Sequence, residues 1–83
     1  MKVKVFTQPT CPKCPAAKQT VKQIEHKATV EYFDIKTEDG LAEALNYNVW
    51  ATPAIVIVDH EDKVLGEWKS NVPSVEDLNK ILK

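Results

Sequence analysis

The sequence predicts an α/β fold with element order βαβαββα, a four-stranded mixed sheet with helices on both faces. Three observations predict it. A β-branched and aromatic run, Val3 to Phe6, is followed by a stretch with helical periodicity. A continuous apolar run, Ala54 to Val58, has the composition of a central strand buried on both sides. The polar stretch Asp59 to Lys63 then separates that run from another strand-like one, and so short a connection demands an antiparallel hairpin.

Val3, Val5 and Phe6 form the first strand, with Lys2 and Lys4 facing water. Thr7 to Thr10 has turn chemistry, with Pro9 inside it. From Cys14 onward Ala17, Val21, Ile24 and Ala28 recur three and four residues apart, the stripe of a helix with one buried side. Lys18, Lys22 and Glu25 lie off that stripe. Val30 to Ile35 is the second strand, with Val30, Tyr32 and Asp34 on one face. Joined through a helix, the first two strands should be parallel, with a right-handed crossover.

Thr37 to Gly40 is a helix-start cluster in which Asp39 is the expected N-cap. Leu41, Ala44 and Leu45 form the expected buried side of that helix, and Asn48 suits a left-handed residue after its end. Ala54 to Val58 and Val64 to Trp68 are the hairpin strands. Ser74-Val75-Glu76-Asp77 fits a capping box with Asp as its fourth residue. Val75, Leu78, Ile81 and Leu82 give the last helix its apolar side.

The chain has 83 residues, which reads as one domain over 1–83. Eleven basic residues, all Lys, face twelve acidic ones, for a net charge of −1. Without Arg and without a basic excess, nucleic acid is not an expected partner. No apolar run reaches the length of a membrane span. Met1 to Phe6 lacks a signal peptide's apolar region, so a chain native from Met1 is expected in the cytoplasm. There, one close pair of cysteines points to catalysis or metal binding rather than to a structural staple.

Cys11-Pro12-Lys13-Cys14 stands where the first strand hands over to the first helix. Cys11 is expected at the helix N-terminus, where free backbone N–H groups and the helix dipole favour a thiolate. Pro12 is expected at the first helical position, where its missing N–H costs nothing. Lys13 adds a positive charge that favours the thiolate. Cys14 follows one turn later on the same face, with Cα atoms about 5–6 Å apart, within disulfide reach. Pro15 has no evident role.

A structural zinc site needs four ligands, and only His26 and His60 could join the pair, from distant places. Haem attachment needs His after the second cysteine, where Pro15 stands. A purely structural bond closing so short a loop constrains the unfolded chain little. Redox chemistry is the favoured reading: Cys11 is the attacking nucleophile and Cys14 the resolving thiol. No cofactor need bind. A metal-delivery module using the same thiolates is the alternative from another class, and a redox-inert interaction domain is a third.

Trp50-Ala51-Thr52-Pro53-Ala54 precedes the apolar run, and locally it reads as a helix-to-strand loop ended by a proline. Trp50 and Trp68 either flank the cysteine site or pack against apolar neighbours, and packing is the more common fate of Trp. His26 and His60 read as surface residues.

These motifs together resemble the thioredoxin superfamily over essentially the whole chain. The strand Val3 to Phe6, the Cys11-Pro12-Lys13-Cys14 motif opening a helix, Thr52-Pro53 before an apolar strand, a hairpin and a final helix carry the likeness. Phe6-Thr7-Gln8-Pro9-Thr10-Cys11-Pro12 resembles glutaredoxins. Cys11-Pro12-Lys13-Cys14-Pro15-Ala16-Ala17-Lys18 resembles the short glutaredoxin-like thioredoxins of archaea and some bacteria. Trp68 with Pro73 is loosely similar to the redoxins that serve ribonucleotide reductase.

The resemblance implies a thioredoxin-like fold and a cis Thr52–Pro53 bond against the cysteines. It also implies that the Thr52 backbone pairs with an extended substrate. It implies partner proteins with disulfides as substrates, ribonucleotide reductase among the candidates. A thioredoxin-reductase-type flavoenzyme would be the electron donor, and the chain would act as a monomer. A glutathione-dependent glutaredoxin is the alternative. Against it, Gln8 replaces the usual Lys, Lys13 replaces an aromatic residue, and with only Gly40 and Gly66 no Gly-Gly pair exists. Thioredoxins also bury an Asp where this chain has Val5 and carry Trp where it has Thr10. The proton on Cys14 therefore needs another acceptor: water, the substrate thiolate or a different base.

Overall fold

Alternation along two strands decides which side of the sheet each helix covers. The computed structural model describes residues 1–82. It contains β1 (Lys2–Thr7), α1 (Cys14–Lys22), β2 (Thr29–Asp34), α2 (Glu38–Asn46), β3 (Ala54–Val58), β4 (Val64–Lys69) and α3 (Val75–Leu82). Sheet order is β2-β1-β3-β4. β1 and β2 are parallel, while β3 runs antiparallel to both β1 and β4.

Val3, Val5, Ile55 and Ile57 point to one face, where Ala17, Val21 and Ile24 meet Leu78 and Leu82 from α3. Phe6, Ala54, Val56 and Val58 point to the other face, under Ala44 of α2 and Val49. A strand that feeds two cores must be apolar at every position, which accounts for the unbroken Ala54–Val58 run. The result is the expected four-stranded mixed sheet with helices on both faces.

Four local expectations are corrected. First, α1 starts at Cys14 with Lys13 as N-cap, so Pro12 lies outside the helix and Pro15 lies in its first turn. The helix also ends at Lys22. Tighter bonds follow, with Ile24 N–H donating to the Val21 carbonyl at 3.0 Å, and these carry Ile24 inward as the chain turns toward β2.

Second, Thr37 rather than Asp39 caps α2. Its Oγ1 accepts from the Gly40 N–H at 3.0 Å and donates to the Asp34 carbonyl at 2.7 Å. Third, α2 buries Gly40 and Ala44, and Leu41 and Leu45 are each 47% exposed. Small residues let the helix lie close to the end of β2, so its buried side is the one hydropathy does not mark.

Fourth, Lys4 does not face water. It is buried, with its Nζ 3.5 Å from both Glu31 Oε1 and Glu43 Oε2. The ammonium also lies 5.5 Å from the ring centres of Phe33 and of Tyr47. A lysine on the inner side of a central strand is kept charged by two carboxylates and two aromatic faces.

The remaining ends follow the sequence closely. Asn48 takes a positive φ of 56° after α2. In the β3–β4 turn the Asp59 carboxylate accepts from the N–H groups of Glu61 and Lys63, at 2.8 and 2.9 Å. These bonds, with Lys63 foremost, hold its carboxyl below the usual range. At α3 the Asp77 N–H donates to Ser74 Oγ at 3.1 Å and the Ser74 N–H to Asp77 Oδ2 at 3.2 Å, the reciprocal capping box.

Candidate redox site

The site is built at one end of the sheet by register. Phe6 of β1 lies opposite Ala54 of β3, and Ala54 lies opposite Lys69 of β4. The segment after β1, the segment before β3 and the segment after β4 therefore emerge together. The first carries Cys11 and Cys14, the second carries Thr52 and Pro53, and the third carries Ser70.

Cys11 and Cys14 form a disulfide, with Cα atoms 5.4 Å apart. Both are largely buried, at 8% and 4% exposure, while Pro12 and Lys13 between them are exposed. Cys11 lies in a turn, where its own N–H donates to the Gln8 carbonyl at 3.2 Å. It therefore stands ahead of α1 rather than in its first turn. Cys14 is the first helical residue, and the first-turn N–H groups have no intrahelical acceptor.

Cys11 is bonded to the first residue of α1, so a thiolate there would lie beside the helix start. Pro15 now has a physical account. In the first turn an N–H would have no partner, so its absence costs nothing. The sequence assigns Pro12 to the first helical position; in the structure Cys14 takes that position and Pro15 follows it as the second.

The Thr52–Pro53 peptide bond is cis. Pro53 is fully buried, and its carbonyl accepts from the Ser70 N–H at 2.9 Å. Thr52 Oγ1 is buried without a hydrogen-bond partner. Val5, which stands where thioredoxins bury an Asp, is fully enclosed among apolar side chains of α1 and α3. Among the described residues the buried polar ones are Lys4 and Thr7, and the Thr7 hydroxyl donates to the Phe33 carbonyl at 3.4 Å.

The two tryptophans part company. Trp68 packs partly buried against the α1–α3 core. Trp50 is 76% exposed, against the expectation of packing. No sequence signal separates them, because Trp50's position depends on the loop conformation around Pro53. Ser70 takes a positive φ of 65°, which its residue type does not announce in the sequence.

The profile of the family described as thioredoxin domain matches residues 1–83. A probable thioredoxin of Archaeoglobus fulgidus is 39% identical over 59 residues, covering 69% of this chain and 65% of that protein. The thioredoxin of Methanocaldococcus jannaschii is 36% identical over 61 residues, covering 69% of each chain.

Among solved structures, thioredoxin 1 of Thermosipho africanus superposes with a TM-score of 0.80 over 98% of this chain and 89% of that one, at 18% identity. A crystal structure of a thioredoxin-like protein gives a TM-score of 0.62 at 28% identity, covering 96% of this chain and 99% of that one. Strand order, the cysteine pair and these likenesses agree: the chain belongs to the thioredoxin family, and Cys11 and Cys14 are its disulfide-bonded cysteine pair.

Proposed function

We infer that the chain reduces disulfides in partner proteins, with Cys11 as nucleophile and Cys14 as resolving thiol. The observation that carries this reading is the Cys11–Cys14 disulfide at the sheet end where the Thr52–Pro53 segment also emerges. In the reduced form the Cys11 thiolate attacks one sulfur of the partner's disulfide. The partner's other sulfur leaves as a thiolate, and a mixed disulfide joins Cys11 to the partner. Cys14 then attacks the Cys11 sulfur. The second partner thiolate leaves, and the Cys11–Cys14 bond forms. Two electrons have moved to the partner.

Lys13, and the helix start that Pro15 leaves undisturbed, favour the Cys11 thiolate. Pro12 shapes the exposed turn between the cysteines. Thr52 offers its backbone to an extended partner segment, which would add as a short strand. Val5 supports a particular assignment for the proton on Cys14. With hydrocarbon at that position, the first partner thiolate to leave is the nearest base formed during the reaction, and it takes the proton. A thioredoxin-reductase-type flavoenzyme returns the electrons, with ribonucleotide reductase a candidate acceptor.

Reduction of insulin disulfides tests the reading. Cys11→Ser should abolish turnover, and Cys14→Ser should accumulate a mixed disulfide at Cys11. Full activity of Cys11→Ser would refute it. Stoichiometric zinc or copper on the purified chain, with no reductase activity, would favour metal delivery. Turnover that needs only glutathione and its reductase would favour the glutaredoxin alternative.

A further inference from the structure

Trp50 is the largest apolar side chain left in water, and the loop presents it firmly. On one side, Val49 is buried and its N–H donates to the Ala44 carbonyl at 2.8 Å. On the other, Pro53 is buried and tied to Ser70. A large aromatic side chain carried on backbone that is fixed on both sides needs little backbone ordering to meet a partner, which suits an interface anchor. Folding gains little from it, since it is 76% exposed.

The charge around it is uneven. The chain has twelve acidic residues, yet residues 8–13, 50–53 and 70–74 contain none. Lys13 is exposed and makes no ion pair among the described residues. Lys69, at the end of β4, lies 3.5 Å from Glu67. Asp34, at the same sheet end but on the far side of β1, has its Oδ1 occupied by the Lys36 N–H. The three segments that emerge around the disulfide thus offer an aromatic anchor and one free cation.

We propose that Trp50 is the specificity anchor of the Cys11–Cys14 site. It receives a bulky apolar side chain lying beside the partner's disulfide cysteine, in a segment whose acidic residue meets Lys13. The inference rests on the disulfide-reductase reading above and names the partner's local chemistry. Trp50 belongs to the same loop as the Thr52 backbone, so a segment paired there passes the indole. The apolar residue gives the contact area, and Lys13 disfavours a basic segment.

The test uses three cyclic disulfide peptides and single-turnover reduction by the pre-reduced chain. One peptide carries Leu beside the cysteine and Glu further on. The second replaces Leu with Ser, and the third replaces Glu with Lys. The wild type should prefer the Leu peptide over the Ser peptide by about tenfold, the scale of one anchoring contact. Trp50→Ala should bring that ratio close to one, while Trp50→Phe retains most of it. Lys13→Gln should reduce the preference for Glu over Lys and leave the Leu-to-Ser ratio in place.

A Leu-to-Ser ratio that survives Trp50→Ala, or is absent in the wild type, overturns the proposal. So does a wild-type chain that dimerises at high concentration while Trp50→Ala stays monomeric, which would make a second copy the occupant. Failure of the underlying reading looks different. There, Cys11→Ser would reduce all three peptides as fast as the wild type.

Discussion

The Ser70 N–H donates to the Pro53 carbonyl at 2.9 Å, joining the turn after β4 to the cis proline before β3. Ser70 reaches this position with a φ of 65°, in the region that favours glycine. Two substitutions test this position, one relieving the conformation while keeping the N–H and the other removing both. Ser70→Gly relieves an αL cost of about 1 kcal/mol but gains a similar amount of unfolded-state freedom, so stability should change by less than about 0.5 kcal/mol. Ser70→Pro cannot adopt the positive φ and has no N–H, so it should lose about 2–3 kcal/mol in urea unfolding. Equal stability of the proline variant and the wild type would show that the bond to Pro53 contributes nothing.

The start of α1 gives a second prediction. If the helix began at Cys11, Pro15 would interrupt its interior, and Pro15→Ala would stabilise the fold by about 3 kcal/mol. Because Pro15 stands in the first turn, the change should be below about 1 kcal/mol in either direction. Thermal or urea unfolding of the oxidised variant decides between the two.

Those two residues also show how far the sequence could be read. β3 was legible because a strand covered on both faces has to be apolar throughout. The Ser74–Asp77 capping box was legible because its chemistry is local. The cysteine pair was legible because its spacing limits its geometry. What was not legible depends on contacts between distant segments. Pro12 and Pro15 each fit the first turn by local rules, and the backbone bonds decide between them: the Cys11 N–H closes a turn onto Gln8, and the Ala17 N–H donates to the Lys13 carbonyl as the first bond of α1. The buried side of α2 is Gly40 and Ala44, which hydropathy passes over in favour of Leu41 and Leu45. Lys4 looked solvated because its partners, Glu31, Glu43, Phe33 and Tyr47, come from two other elements and a turn.

Gly40 follows from the same close approach. A Cβ there would collide with the Asp34 carbonyl oxygen and come within 2.9 Å of Thr37 Oγ1. The carbonyl is backbone and cannot swing away, so α2 would have to lift from the end of β2. Gly40→Ala should cost about 2–3 kcal/mol net of its better helix propensity. Gly66→Ala is the comparison. Its Cβ would meet Ile81 Cδ1, the far end of a flexible side chain, and should cost about 1 kcal/mol. Equal losses in urea unfolding would mean that the approach of α2 to β2 is not what requires glycine.

Lys4 carries the last prediction, because its charge is held by opposing effects. Burial lowers its affinity for the proton, but Glu43, Tyr47 and Glu31 outweigh burial and hold it above the ordinary lysine value of 10.5. A group that binds its proton more tightly when folded stabilises the fold while protonated. Its contribution is therefore full below the unfolded value and is lost as pH rises through the folded one. Lys4→Met keeps the stem's packing and removes the charge. At neutral pH it should cost about 1–3 kcal/mol, less than a fully buried pair because Glu31 and Glu43 reach solvent. As pH rises through the ordinary lysine value of 10.5 and beyond it, the wild type should lose stability more steeply than Lys4→Met, so the two curves converge. The other lysines are common to both chains and cancel in the comparison. Parallel curves in urea unfolding across that range would show that Lys4 is not bound more tightly to its proton in the folded chain, and that its place between Glu31 and Glu43 contributes packing rather than charge.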